Sequence, residues 1–450
     1  MPINSRLGKK MDLTISRLGI NGEGVGEWYG YTVFVEGALP GETVKAKLYE
    51  KHRSYGRAAV IERTSDSPHR VKPVCPLFGK CGGCQIMHLS YDEQLITKRQ
   101  RVVDALERIG KLKGVDVAPC VASPTPLAYR NKIQIPVFPG TPLRFGLYAR
   151  QTHDLVEMEK CFIHCPLGES AYQHIQEILK RSSLTAYDYR TGAGELRHLL
   201  IKTAVHTQEV LVILVTNGPA SLALKEAAEK IKESMQEIKG VLQNINTEKD
   251  NTVLGQSYVT LVGASHIEET LLGTRFKVSP ASFFQVNPAQ AEQLYEKVLT
   301  DADLQGHETV LDAYCGVGTL SLFLARQAKK VIGVECVPEA IEDAKQNASL
   351  NGITNTEFVC DEAEKFISTL EAIDVAILNP PRKGCERTFL ETLATLKPQK
   401  IVYVSCDPAT LARDLAFLVE KGWRIKGAYP FDMFPQTAHV ECCVTLTRER

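Results

Sequence analysis

Between Met11 and Arg63 apolar and polar residues alternate in short runs: Met11-Asp12-Leu13-Thr14-Ile15, Tyr31 to Val35, Thr43 to Leu48 and Arg57 to Ile61. The glycine-rich stretch Gly19 to Gly26 and the turn Leu39-Pro40-Gly41-Glu42 separate them. A period of two broken by frequent turn signals predicts a small OB-like β-barrel, here over residues 1–63. The period then changes. Leu95, Val102, Val103, Leu106 and Ile109 fall on one side of a helix from Tyr91 to Ile109, with Gly110 as its stop. From Tyr129 to about Val262 apolar strands (Lys132 to Val137, Leu196 to Ala204, Glu209 to Val215) alternate with helical stretches, which reads as a central α+β domain.

From Glu308 onward the pattern becomes strictly βαβ. The predicted strands are Thr309 to Asp312, Lys330 to Val334, Glu357 to Val359, Asp374 to Leu378, Lys400 to Val404 and Val440 to Thr447. Leu320 to Ala328, Pro338 to Asn347 and Pro408 to Val419 are predicted helices between them. Such alternation gives a doubly wound α/β sheet of Rossmann-like type, whose ligands bind at the carboxyl ends of the strands.

A length of 450 residues exceeds what one ordinary core supports, so two or three domains are expected. There is no apolar run long enough to span a bilayer, and Met1 to Lys10 contains no apolar signal segment. The expected location is cytoplasmic, with no membrane partner and no obligate protein partner indicated. Formal net charge is zero, so a nucleic-acid partner has to be held by local basic patches. The loop Lys51-His52-Arg53-Ser54-Tyr55-Gly56-Arg57, basic with one aromatic, fits single-stranded RNA contact and equally fits a solvated hairpin. Arg130, Lys132, Arg197 and Lys202 could touch phosphates, although scattered surface charge accounts for each singly.

The loop Asp312-Ala313-Tyr314-Cys315-Gly316-Val317-Gly318-Thr319 follows a strand and opens a helix. Gly316 and Gly318 let backbone approach a ligand, but the third glycine of a dinucleotide fingerprint is replaced by Ser321. Glu335 ends the next strand, where a carboxylate accepts from both ribose hydroxyls, and Glu362 follows the third, where an adenine amino group is within reach. An acidic ribose reader with an incomplete phosphate cradle suits S-adenosylmethionine better than NAD.

Cys406 follows an apolar strand and precedes a helix whose positive N-terminal dipole would favour a thiolate. Glu441 lies two residues after His439, so on a strand both would face one side. Taken singly, a cysteine beside a strand is more often core than nucleophile; the combination overturns that. Methylation of uracil C5 needs this pairing. Thiolate addition at C6 makes C5 nucleophilic toward a sulfonium methyl, and a base then removes the C5 proton so that the thiolate can leave.

These motifs, together with Ser405-Cys406-Asp407-Pro408, Asp432-x-Phe434-Pro435-x-Thr437-x-His439-x-Glu441, Phe283-Phe284-Gln285-Val286-Asn287 and Pro380-Pro381-Arg382-Lys383-Gly384, carry a resemblance over almost the whole chain. The chain resembles the RNA (uracil-C5) methyltransferase family, in its 23S ribosomal RNA branch with an N-terminal TRAM barrel. The resemblance implies Cys406 as nucleophile and Glu441 as base, with Gln285, Tyr314, Glu335 and Asn379 as cofactor contacts. Thr319 and Glu362 join that expected cofactor set. It also implies a flipped-out uridine of 23S rRNA as substrate. The helix from Tyr91 to Ile109 is implied to pack on the catalytic domain, so the domains would run 70–89 plus 124–265 and 90–123 plus 266–450. Two departures stand out: Asn379 where the family usually has Asp, and Asp407 where it usually has Asn. An ionised Asp407 would raise the neighbouring thiol pKa.

Thirteen cysteines without a secretory signal favour metal binding or catalysis over disulfides. Cys75, Cys81 and Cys84 are closely spaced among Gly79, Gly82 and Gly83, and a fourth ligand could be Cys161 or Cys165. Spacing alone leaves structural zinc and an iron–sulfur cluster both open. The resemblance implies a [4Fe–4S] cluster on Cys75, Cys81, Cys84 and Cys161. Other readings are the same chemistry on a transfer RNA uridine, an amino-group methyltransferase suggested by Asn379-Pro380-Pro381 but lacking its aromatic at Arg382, and a noncatalytic RNA-binding or iron–sulfur sensor protein.

Overall fold

The computed structural model describes residues 7–150 and 152–448; residues 1–6, 151 and 449–450, which include the start of the expected barrel segment, lie outside the described residues. Strands β1 (Lys10–Leu18), β2 (Gly24–Trp28), β3 (Tyr31–Glu36), β4 (Thr43–Lys51) and β5 (Tyr55–Ser65) close into a barrel in the order β1-β2-β3-β5-β4. The alternating residues Met11, Leu13, Ile15, Val33, Val35, Val44, Ala46 and Leu48 fill its interior, as the period of two requires. Part of the stretch expected as a turn is strand β2. A Cβ at Gly24 would stand 2.8 Å from Ala38 O and from Ile15 Cγ2, so glycine serves here as a strand residue where another backbone comes close. The basic loop is also shorter than expected. Lys51 ends β4 and Tyr55 begins β5, while Arg57 lies in β5 near Glu23 (3.5 Å) and Glu50 (3.6 Å).

After a cysteine-bearing segment without regular elements comes α1 (Tyr91–Arg108). Its Val102, Ala105 and Leu106 are buried against the C-terminal sheet domain, with Leu411, Leu415 and Ala428 in the same core. Lys98 on this helix forms a fully buried ion pair with Asp432.

The central region contains β6 (Lys132–Phe138), β7 (Arg144–Tyr148), β8 (Leu155–Glu157), α2 (Pro166–Lys180), β9 (Leu196–Ala204), β10 (Glu209–Thr216), α3 (Leu222–Ser234), β11 (Ile238–Ile245) and β12 (Ser257–Gly263). They make a seven-stranded sheet in the order β12-β11-β10-β9-β6-β7-β8. Central strand β9 is buried along its whole length. Consequently Arg197 and Lys202 are not surface charges open to phosphate. Arg197 is 1% exposed, donates to Asn246 O at 2.6 Å and lies over the rings of Tyr187 and Tyr189. Lys202 donates to Ser279 O and Ser282 O, both at 2.7 Å. Period alone could not reveal this, because a central strand is covered on both faces. One face of β9 and β10 packs against a hairpin of β13 (Ile267–Leu271) and β14 (Thr274–Val278) through Leu200, Leu211, Ile213, Ile267 and Val278.

The C-terminal region begins with α4 (Pro288–Ala302). Then follow β15 (Thr309–Ala313), α5 (Thr319–Ala325), β16 (Lys330–Glu335), α6 (Pro338–Leu350), β17 (Thr356–Cys360), α7 (Ala363–Phe366), β18 (Val375–Leu378), α8 (Arg387–Leu396), β19 (Lys400–Ser405), α9 (Pro408–Glu420), β20 (Arg424–Phe431) and β21 (Glu441–Thr447). The sheet runs β17-β16-β15-β18-β19-β21-β20. Strand order reverses beside β15, so a crevice opens at the carboxyl ends of β15 and β18. The strict βαβ alternation fails at the end of the chain: β21 pairs antiparallel with both β19 and β20, because a non-helical segment, residues 432–440, joins β20 to β21. Helix α5 is shorter than its apolar pattern suggests. Asn355 Nδ2 takes Ala325 O (2.8 Å) and Ala328 O (3.0 Å), satisfying carbonyls that would otherwise end unpaired.

Candidate active site

The crevice is a cavity of about 690 Å³. All six residues expected at the cofactor (Gln285, Tyr314, Thr319, Glu335, Glu362, Asn379) line it, and so do Cys406 and Glu441. Thr319 opens α5, and the others are delivered by a strand end or the loop after a strand. Gly316 and Gly318 have φ of 55° and 80°, a region cheap for glycine. A Cβ at Gly318 would also stand 3.0 Å from the Phe358 ring. Glu335 accepts from Gly316 N (3.2 Å), Cys336 N (2.9 Å) and Val337 N (3.1 Å), which fixes its carboxylate at the mouth of the glycine loop. Tyr314 donates to Glu364 at 3.0 Å, and Glu362 pairs with Lys365 at 2.8 Å. Ser321, in the third-glycine position, donates to Asp312 Oδ2 at 2.5 Å.

Asp312 is a site residue that the sequence reading passed over, although it is the penultimate residue of β15, just before the glycine loop. It is 1% exposed, and burial lifts its pKa to about 7. Its Oδ1 is buried without a hydrogen-bond partner while the residue lines the cavity. A buried acceptor left open calls for a donor from a ligand.

Gln285 is presented by a segment clamped between the central and C-terminal regions. Asn131 Nδ2 donates to Gln285 O (3.2 Å) and Asn131 N to Val286 O (2.9 Å). Lys202 holds the carbonyls of Ser279 and Ser282, whose hydroxyls donate to Asp343.

At the other end of the cavity Cys406 directly follows β19 and Glu441 begins β21. Residue pairing between these strands sets Ser405 opposite Cys442, so the thiol and the carboxylate emerge side by side. His439 lines the same cavity but precedes the strand; strand alternation is therefore not what brings it beside Glu441. Burial first, and Glu441 second, push the Cys406 thiol up to about 11, and Arg382 pulls it down. This reverses the expected depression by the helix dipole. Asp407 caps α9 by accepting from Ala409 N (2.8 Å) and Thr410 N (3.2 Å), so an anion already occupies that helix end. Glu441 is fully buried, which lifts its carboxyl to about 7 against the lowering effect of Arg382.

The 432–440 segment that feeds Glu441 is fastened from several sides. Lys98 donates to Asp432 and to Phe434 O, and Arg101 to Ala438 O. Asn287 reaches Met433 O (3.3 Å) and Tyr129 reaches Pro435 O (3.1 Å). Gln85 N and Ile86 N both donate to Gln436 O at 3.1 Å.

Those last bonds come from the cysteine segment. Cys75, Cys84 and Cys161 pack with Phe78, Met87, Tyr129 and Ile163. Burial raises the Cys84 thiol, followed by Cys161, Cys81 and Cys75, which are near enough to act on it. Cys165 is engaged elsewhere, with Gly168 and Thr203. Among the described residues no group of three or more His, Cys, Asp or Glu stands where it could hold a metal ion. Nor is any helix among them long and apolar enough to cross a membrane.

Comparison with known proteins agrees with this architecture. Residues 170–449 match the family described as tRNA (Uracil-5-)-methyltransferase, and residues 4–61 match the TRAM domain. An uncharacterized RNA methyltransferase of Listeria innocua is 43% identical over 98% of both chains. One of Clostridium acetobutylicum is 44% identical over 97% of this chain and 96% of its own. The crystal structure of Pyrococcus abyssi tRNA (uracil-54, C5)-methyltransferase in complex with S-adenosyl-L-homocysteine superposes with a TM-score of 0.77 at 27% identity, covering 97% of this chain and 100% of that one. Fold and cavity thus define a methyltransferase domain joined to a TRAM barrel. The chain belongs to the family of RNA uracil-C5 methyltransferases that carry a TRAM domain.

Proposed function

We propose that the protein methylates C5 of uridine in RNA, using S-adenosylmethionine, through a covalent bond between Cys406 and C6 of the base. The observation carrying this reading is that one cavity is lined both by a strand-end cofactor loop and by a thiol beside a buried carboxylate. The cofactor fits the residues present. Asp312 Oδ1 is an open acceptor, Glu335 stands at the glycine loop for the ribose hydroxyls, and Glu362 lies past the third strand for the adenine amino group. Gln285, Tyr314, Thr319 and Asn379 complete the wall. When bound, the cofactor supplies a methyl group on a sulfonium, an electrophile that C5 of an ordinary uracil is too weak to attack.

Cys406 supplies the missing reactivity. Its thiolate adds to C6, and the electrons of the C5–C6 double bond move toward O4. C5 then takes the methyl group, and Glu441 removes the C5 proton. The electrons of that C–H bond restore C5=C6 and expel the thiolate. A carboxyl near 7 is suited to this work, being about half ionised at neutral pH and basic enough to accept the proton.

The preferred substrate is a uridine of 23S rRNA, flipped out of its stack. A transfer RNA uridine is the second reading, favoured by the structural neighbour's own substrate. The division into residues 1–63 as RNA-binding barrel, 70–89 with 124–265 as central domain and 90–123 with 266–450 as catalytic domain belongs to the same proposal. So does a [4Fe–4S] cluster on Cys75, Cys81, Cys84 and Cys161. What supports it is the nearness of the thiols: Cys161, Cys81 and Cys75 all act on Cys84, and Cys75, Cys84 and Cys161 pack among Phe78, Met87, Tyr129 and Ile163. Anaerobically purified protein analysed for iron and acid-labile sulfide tests it; protein free of both would remove the cluster. Incubation with unmodified 23S rRNA and tRNA and a labelled methyl donor, followed by mass mapping, tests the function. Label at C5 of an rRNA uridine is the expected result, label in tRNA selects the second reading, and label on neither RNA overturns both.

A further inference from the structure

Arg382 reaches the cavity from the loop after β18 and lines it together with Cys406, His439 and Glu441. Its backbone is anchored to α9, the helix that follows the nucleophile. Thr410 Oγ1 donates to Arg382 O at 3.2 Å, and Arg413 holds Lys383 O (2.9 Å) and Cys385 O (3.2 Å). Cys385 N donates to the buried Asp414 at 2.9 Å, and Tyr403 of β19 donates to the same carboxylate at 2.7 Å. The loop carrying Arg382 and the strand leading to Cys406 are therefore tied to one buried acid. Gly384 turns the loop with φ of 74°, and a Cβ there would stand 2.6 Å from Asp414 Oδ2 and Arg413 Nη2.

The guanidinium itself is exposed, and among the described residues it has no hydrogen-bond or ion-pair partner. Its neighbours in the site are otherwise committed. Lys98 pairs with Asp432, Arg101 donates to Ala438 O, and Asp407 caps α9. A thiolate forming at Cys406 faces Glu441 from β21, Asp407 from its own helix and Arg382 from the loop; His439 lies on the adjoining segment and Arg101 faces Asp407 from α1. Two of these groups are carboxylates that oppose a second negative charge. The helix N-terminus, which would ordinarily favour the thiolate, already serves Asp407. Among the described residues that line the cavity, Lys383 pairs with Glu386, and Arg382 is the cation left uncommitted.

We propose that Arg382 is a catalytic residue whose guanidinium stabilises the Cys406 thiolate, both when it attacks C6 and when it is expelled. The thiol gives its proton to solvent before bond formation, and the positive charge shifts that equilibrium toward sulfur anion. On elimination the same charge improves the leaving group. The second half of this assignment rests on the proposed uracil chemistry; the first half does not.

The test reads the thiol without RNA. Alkylation of the Cys406 peptide by iodoacetamide, followed by mass spectrometry across pH, gives its titration curve, with exposed Cys336 as an internal control. In R382Q the curve should move up by about one pH unit, which is about tenfold less thiolate at any lower pH. R382K should restore part of that shift and also serves where R382Q does not fold. With 5-fluorouridine RNA at saturation, adduct formation should slow about tenfold in R382Q while RNA affinity holds. An unmoved Cys406 curve overturns the proposal, as does a defect confined to RNA affinity, which would make Arg382 a phosphate contact. Wild-type protein that alkylates as expected but never traps RNA would overturn the proposed function and leave the thiolate assignment standing.

Discussion

Glu441 contributes a carboxyl that burial holds near neutrality, and this fixes the direction of its pH dependence. A raised carboxyl is protonated below about 7, so proton removal from C5 should accelerate as pH rises through about 7 and level off above it. Single-turnover decay of the methylated adduct measures this step directly. Glu441→Gln should abolish that limb and accumulate adduct; unchanged decay in the variant contradicts the base assignment. At this scale the sequence was informative about chemistry and poor about environment. Cys406 and Glu441 were visible as a strand-end thiol and a downstream carboxylate. The net direction of the Cys406 shift was not: the helix dipole and Asp407 were read as opposing influences, and burial, the largest cause, belongs to the assembled site. Asp312 escaped notice for a similar reason: its open Oδ1 exists only after Ser321 has taken the other oxygen.

Helix α1 and the 432–440 segment act as one element although more than three hundred residues separate them (sequence distance 334 for Lys98 and Asp432). Their ion pair is fully buried, and removing one partner strands the other charge. Lys98→Met should therefore destabilise the protein by about 3–5 kcal/mol, read by chemical denaturation. A loss under about 1 kcal/mol would mean that the segment does not depend on this pair. Strong apolar period made α1, α6, α9 and most parallel strands legible. Strand β2 was hidden by its glycines, and β20 by its lysine and glycine interruptions at Lys426 and Gly427. The antiparallel return of β21 was equally invisible, since period reports a strand and not its direction.

Across the whole molecule, the catalytic cavity is shaped by parts distant in sequence. The cysteine segment reaches the segment that feeds Glu441 through Gln85 and Ile86, and the central sheet reaches the Gln285 segment of the cavity wall through Asn131 and Lys202. Such contacts leave no local pattern in the chain; only the packing of α1 on the C-terminal sheet was expected, from the family resemblance. The same joints argue that an RNA base reaching the cavity meets a site already assembled. The most direct test of the account is covalent capture: wild-type protein, 5-fluorouridine-containing RNA and S-adenosylmethionine, resolved under denaturing conditions. Fluorine at C5 cannot leave as a proton, so the account predicts a stable protein–RNA band in wild type and none in Cys406→Ala. A wild-type lane without that band, on RNA the protein demonstrably methylates when unfluorinated, would contradict it.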